Sequence, residues 1–146
     1  MARKHEPPGP TDPDAGVYAG RRVARRFVSP DGLVVLVGKT AADNDLLSLK
    51  LGAPDDFWLH VAAESGSHVV VRNPERLSVL PRASAQFAAG LAAGYSKARG
   101  GGRVAVHLAT CADVSKTRGL EPGKVLLRRY KTVYATPLRP TDPNGP

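Results

Sequence analysis

The chain has 146 residues, 42% of them apolar, which is enough for one domain with a packed core and short for two. Lys and Arg number 21 against 13 Asp and Glu, a formal net charge of +8 that points to an anionic partner: nucleic acid, an acidic membrane surface or an acidic protein. A single cysteine excludes an intrachain disulfide, and no run approaches the roughly 20 apolar residues of a membrane span, so a cytoplasmic protein is expected.

Residues 1–19 are rich in Pro, Gly and charge and lack the apolar stretch of a signal peptide; they are expected to form a tail without structure. Residues 139–146 read the same way, leaving one domain over 20–138. RRVARRFVS, the turn signal Pro30-Asp31-Gly32 and LVVLVG predict a β-hairpin. Asp43 or Asn44 is a candidate cap for a short helix carrying Leu46, Leu47, Leu49 and Leu51, closed by Gly52. DFWLHVAAESGSHVVV, residues 56–71, predicts strands over 57–61 and 68–72 joined by a Gly-Ser turn. PRASAQFAAGLAAGYSKAR predicts a helix over 81–99, with Phe87, Leu91 and Tyr95 as one stripe and alanines allowing close approach to a sheet. Gly100, Gly101 and Gly102 end it. RVAVHLAT alternates as a strand does, a loop runs from Cys111 to Lys124, and VLLRRY with KTVYATP predicts a final hairpin. In that hairpin Arg128 and Arg129 would face opposite sides. The fold class expected is α+β: a single domain with a mixed, mostly antiparallel sheet and two main helices packed against it.

Cations concentrate toward the end of the body: Lys97, Arg99, Arg103, Lys116, Arg118, Lys124, Arg128, Arg129 and Lys131 are opposed only by Asp113 and Glu121. Such a cluster could neutralise phosphates and release their counterions. Glycines beside Lys39, Ser67 and Lys124 stand at element ends, where backbone N–H groups can meet phosphate. Gly38-Lys39-Thr40 is no nucleotide-cradling loop, because Leu33 stands where that loop needs glycine. His60 shares a strand face with Trp58, and His68 shares one with Val70 and Arg72. Zinc needs three or four ligands, and Asp55, Asp56, His107 and Cys111 show no ligand spacing beside the two histidines. Neither Ser67 nor Ser96 sits in a nucleophile-elbow signature. The residues leave open whether the histidines donate to phosphate or are hydrogen-bonded scaffold.

The ordered motifs D-F-W-L-H-V, G-S-H-V-V-V-R, A-A-x-Y-S-K-A-R, P-G-K-V and K-T-V-Y-A-T-P resemble the NFACT-R domain, the RNA-binding module of the NFACT/RqcH family of ribosome-associated quality-control proteins. The resemblance spans residues 20–138 and departs from the family pattern at His107-Leu108-Ala109-Thr110 and at Lys116-Thr117. It implies a stand-alone, non-enzymatic module whose partner is structured RNA, tRNA or rRNA, with a ribosomal particle as the setting. No cofactor, metal, membrane or small-molecule substrate is expected. Aromatic residues make up 5% of the chain, and with Trp58 expected in the core only Tyr95, Tyr130 and Tyr134 remain as stackers. Phosphate and shape recognition is therefore expected over base reading. The expected RNA contacts are Lys39, His60, Ser67, His68, Arg72, Ser96, Lys97, Arg99, Lys116, Arg118, Lys124 and Lys131. Two alternatives remain: an RNA-modifying or RNA-processing enzyme with His60 and His68 as acid and base, and a module docking on an acidic protein.

Overall fold

The computed structural model describes residues 9–140. In chain order the strands are β1 (Val17–Tyr18), β2 (Arg21–Arg22), β3 (Ala24–Val28), β4 (Val34–Gly38), β5 (Phe57–Val61), β6 (Val69–Val71), β7 (Val104–Thr110), β8 (Val114–Ser115), β9 (Leu126–Leu127) and β10 (Lys131–Ala135). The helices are α1 (Ala41–Leu46), continued by a π-helical segment over Leu47–Leu51, and α2 (Arg82–Gly94). Six strands form one sheet in the order β10-β7-β5-β6-β4-β3, and every pairing in it is antiparallel. The α+β class with a sheet flanked by two helices is as the sequence predicts.

Side-chain alternation sorts the sheet's two faces. Val35, Val37, Phe57, Leu59, Val69 and Val71 pack with Ala85, Ala88, Leu91 and Ala92 of α2. Leu36, Trp58 and Val70 point the other way, against Leu47 and Leu51. The central strands are covered on both faces, so FWLHV and VVV read as continuous apolar runs rather than as alternating ones. Burying each such side chain stabilises the fold by about 1.5–3 kcal/mol.

Helix α2 stops at Gly94, five residues short of the expected end. A Cβ at Gly94 would overlap the Leu138 carbonyl, so glycine is required for the chain to pass that close. Tyr95 caps the helix through its N–H to the Leu91 carbonyl, and the following residues turn to pair with the Gly-Ser turn. At the start of α2, Pro81 supplies no side-chain cap. Asp31 of the β3–β4 turn does so from a distance, accepting from the Ser84 N–H at 3.2 Å and the Ser84 hydroxyl at 2.6 Å.

Besides the end of α2, four features differ from expectation. Thr40, not Asp43 or Asn44, caps α1, accepting from the Asp43 N–H at 3.1 Å. Asn44 lies inside and accepts the His68 N–H at 3.0 Å. The final hairpin does not form: β9 pairs with β8, and β10 pairs with β7 at the sheet edge. Residues 128–130 between them are not in a strand, so Arg128 and Arg129 escape alternation and both reach Asp113, at 2.9 and 3.3 Å. Of the expected N-terminal tail, residues 1–8 lie outside the described residues; residues 9–19 carry a 3-10 turn over Pro13–Ala15 and strand β1. Of the expected C-terminal tail, only Arg139 and Pro140 fall among the described residues.

Asp56 organises the turn ahead of β5. Its carboxylate accepts the Ala53 N–H at 2.9 Å and the Asn73 N–H at 2.8 Å and pairs with Arg72, whose Nε also meets Asp14 at 3.0 Å. Replacing Asp56 by Ala leaves the mostly buried Arg72 guanidinium with only Asp14 and the Leu51 carbonyl, and leaves the buried Asn73 N–H without its acceptor. We expect a loss of about 3 kcal/mol in urea denaturation. A loss within 0.5 kcal/mol or so would mean that Asp14 and solvent compensate.

Candidate nucleic-acid interface

The Gly-Ser turn between β5 and β6 folds as it does because it forms a two-rung ladder with the residues that follow α2. The Ser67 N–H donates to the Tyr95 carbonyl at 3.0 Å, and the Lys97 N–H donates to the Ser65 carbonyl at 2.9 Å. Gly66 faces Ser96 in this ladder, and a Cβ on it would stand 2.5 Å from the Ser96 Cβ. The Ser67 hydroxyl donates to the Gly38 carbonyl at 2.8 Å, which pins the turn to the end of β4. The Ser96 hydroxyl donates to the Ala93 carbonyl at 2.7 Å and accepts the Ala98 N–H at 3.0 Å. Both hydroxyls therefore build the platform.

Above this platform lies an open groove of about 320 Å³. Arg25 comes from β3, Lys39 from the end of β4, Lys97 and Arg99 from the segment after α2, and Arg139 from the stretch after β10. Among the described residues no carboxylate lines the groove. Tyr95 stands between these cations, with the Arg25 Cζ 5.2 Å and the Arg139 Cζ 4.7 Å from its ring centroid. Arg99 is braced by a bond from its Nη1 to the Ser96 carbonyl at 3.2 Å. Five like charges around one concavity focus a positive field on an incoming anion.

His68 occupies a different setting. It is 1% exposed. The Trp58 indole N–H donates to the Ser48 hydroxyl at 2.8 Å, the Ser48 hydroxyl lies 2.7 Å from His68 Nδ1, and His68 Nε2 lies 2.9 Å from the Gly123 carbonyl. The carbonyl can only accept, so Nε2 carries the proton and Nδ1 accepts from Ser48, a neutral imidazole with both nitrogens engaged. Burial, with His60 beside it, holds this imidazole down at about 4. His68, expected at a phosphate contact, has both ring nitrogens engaged within the fold and joins the start of β6 to the 116–124 loop. His60 is half-buried and stacks on Trp58, with ring centroids 5.9 Å apart. Burial lowers its pKa below the ordinary value, and His107 and Lys124 push the same way. His60 lines a second depression of about 360 Å³ together with Glu64, Lys97, His107 and Lys124.

The groove thus gathers Lys39, Ser67, Ser96, Lys97 and Arg99 from the twelve expected contacts. His60 and Lys124 border the adjoining depression. Arg72 lies outside the groove and is held by Asp56 and Asp14. Lys116 also lies outside it: its ammonium donates to the Glu121 and Lys124 carbonyls, both at 2.7 Å, and pairs with Asp45 at 3.2 Å, closing its own loop. Arg118 is exposed on that loop. Lys131 lies on β10, at the opposite edge of the sheet from β3, beside an apolar pocket with Val79, Leu80 and Tyr130.

Sequence reasoning missed Arg25, Arg139 and Ser65. Arg25 pairs in register with Val37, two residues before Lys39, so the hairpin register carried a usable signal for it. For Arg139 there was none, because a Pro-rich end shows no periodicity. Among the described residues no group of three or more His, Cys, Asp or Glu gathers to hold a metal, and no helix is long and apolar enough to cross a membrane. Burial pushes the Cys111 thiol up to about 12, which removes its thiolate reactivity.

The family model described as NFACT protein RNA binding domain matches residues 23–129. A Bacillus subtilis protein named "Rqc2 homolog RqcH" is 36% identical over 117 residues, covering 79% of this chain and 20% of that protein. A Streptococcus suis protein of the same name is 35% identical over 118 residues, covering 80% of this chain and 21% of its own length. The chain therefore spans about a fifth of the length of the curated relatives it matches. The solved structure of the C-terminal part of the fibronectin/fibrinogen-binding protein from Streptococcus suis superposes with a TM-score of 0.75 at 34% identity, covering 81% of this chain and 47% of that one.

The buried neutral His68 makes stability depend on pH. From pH 6.5 downward the unfolded chain takes up a proton that the folded one refuses until about pH 4. Stability should therefore fall across that window, by up to about 3 kcal/mol. Urea midpoints at successive pH values check this. His68→Gln should be less stable at pH 7, and its stability should change less between pH 7 and 5. An equally steep pH dependence in the variant would assign the effect elsewhere.

Proposed function

This chain belongs to the NFACT RNA-binding domain family, and from that premise we propose that it binds structured RNA, tRNA or rRNA, through phosphate contacts in the groove around Tyr95. The observation that carries the reading is the meeting of Arg25, Lys97, Arg99 and Arg139, from three separated segments, on a braced backbone platform with no carboxylate among the described residues that line it. Cations brought together only to keep a surface hydrated would be interleaved with acids, as Lys116 and Arg128 are with Asp45 and Asp113. Arg99 and Arg25 can fork two N–H groups onto a phosphate, and the Lys97 ammonium adds a point charge beside them.

The groove supplies little to read bases with. The Ser67 and Ser96 hydroxyls are committed to backbone carbonyls, and its one ring already carries two guanidiniums. Recognition then rests on the spacing of phosphates along a folded RNA, which positions without specifying sequence. The module acts as a binder and not an enzyme: His68 has no nitrogen to offer a ligand, so the acid–base pair with His60 lacks one member. A ribosomal particle is the setting the family likeness suggests, the matched region being about a fifth of the relatives' length.

Fluorescence anisotropy with tRNA and rRNA fragments between about 50 and 200 mM salt tests the proposal. The affinity should fall linearly in log–log form. Replacing Lys97 and Arg99 together by Ala should reduce the slope by about two and weaken all RNAs alike, while Lys131→Ala should bind as wild type. Binding indifferent to salt, or a Lys131 effect equal to that of the groove pair, would overturn it.

A further inference from the structure

Beyond the 23–129 span matched by the family model, the chain after β10 leaves the sheet edge and crosses α2. Ala135, the last residue of β10, is 2% exposed and pairs with Val104, which anchors the departure. The helix receives the crossing on Gly90 and Gly94, four residues apart and so on one face. A Cβ on Gly90 would stand 3.1 Å from the Leu138 Cβ, and one on Gly94 would overlap the Leu138 carbonyl. The Leu138 N–H donates to the Gly90 carbonyl at 2.9 Å. Past the crossing, Arg139 lies over the Tyr95 ring, and the Tyr95 hydroxyl reaches the Pro140 carbonyl at 3.5 Å.

We infer that residues 136–140 form a strap that completes the anion groove, and that Arg139, carried by the strap, is an RNA-phosphate contact. The inference rests on the reading of the groove as the RNA site and extends it beyond the family-matched core. The strap is fixed at both ends and in the middle, so Arg139 is held in place before RNA arrives and loses little freedom on binding. A planar guanidinium suits the position: its face stays on Tyr95 while its edge donates to a phosphate. Arg25 occupies the same ring from β3, the far edge of the sheet from β10. The strap thus brings a cation from one sheet edge to meet a cation from the other.

The test uses the full chain and fluorescein-labelled tRNA across salt. Arg139→Ala should weaken binding about fivefold at moderate salt and lower the log–log slope by about one. Arg139→Lys should keep the slope. Gly94→Ala, which displaces the strap, should lose as much as Arg139→Ala, and adding Arg139→Ala to it should change nothing more. Should Gly94→Ala fail to fold, the two Arg139 variants decide alone. Arg139→Ala with wild-type affinity and slope, while Lys97→Ala weakens binding, would leave the groove reading standing and overturn the strap as a contact. Absence of salt-dependent binding by the wild-type chain would overturn the groove reading and the strap inference with it.

Discussion

The hydrogen-bonded relay from Trp58 through Ser48 and His68 to Gly123 is the constraint on which the rest of the molecule depends. It links β5, the π-helical segment, β6 and the 116–124 loop, four pieces separated in sequence. Every polar atom in it is buried or nearly so, and a single broken step would strand a donor or acceptor at about 1–3 kcal/mol. The loop is fastened around the same point: the Gly123 N–H donates to Asp45 at 3.2 Å, and Lys116 bonds the Glu121 and Lys124 carbonyls. The His68 N–H is held by Asn44, and the next residue back, Ser67, is held by Gly38. A rigid His68 therefore places the Gly-Ser turn, and the turn is the floor of the groove. The histidine most attractive as a ligand contact in the sequence acts at one remove, through the backbone that follows from it.

Local cation density turned out to be a poor guide to surface charge. Of the nine cations between residues 97 and 131, only Lys97 and Arg99 line the groove. Arg128 and Arg129 converge on Asp113, whose carboxyl lies below its usual value; its burial opposes that fall, and the bonds from Arg128 and Thr110 outweigh it. Lys116 is held by Asp45. The acids that cancel these cations are few, but each sits where it can bridge two elements. A count over a window cannot see this, because a buried acid neutralises cations drawn from more than one direction.

The sheet was legible because the sequence of β7 alternates, the Pro30-Asp31-Gly32 turn marks the β3–β4 hairpin, and in β5 and β6 the apolar runs are bounded by turn signals. What was illegible has a common cause, which is a non-local partner replacing the local rule. Helix α2 ends where Leu138 passes, not where the glycine run lies. Its N-terminus is capped by Asp31 rather than by a residue of its own. The last two apolar runs have hairpin composition, yet each finds its partner earlier in the chain, β8 for one and β7 for the other. The candidate site divides along the same line: Lys97, Arg99, Ser67 and Ser96 are near one another in two short motifs, whereas Arg25 and Arg139 reach the groove only through sheet register and the strap.

The economy of polar groups decides what the groove can recognise. Ser67 and Ser96, the hydroxyls nearest a ligand, are committed to carbonyls that hold the platform, and the ladder between residues 65–67 and 95–97 uses the backbone N–H groups of Ser67 and Lys97. The rest of the lining is cationic side chains, the Ser65 side chain and one tyrosine. Such a surface distinguishes ligands by how many phosphates they bring within reach at once and at what spacing. A compact folded RNA presents phosphates from several strand segments to one concavity, and a flexible single strand must lose conformational freedom to do the same. On the proposed reading of the groove as the RNA site, such a geometry would favour folded RNA by preorganisation on both sides.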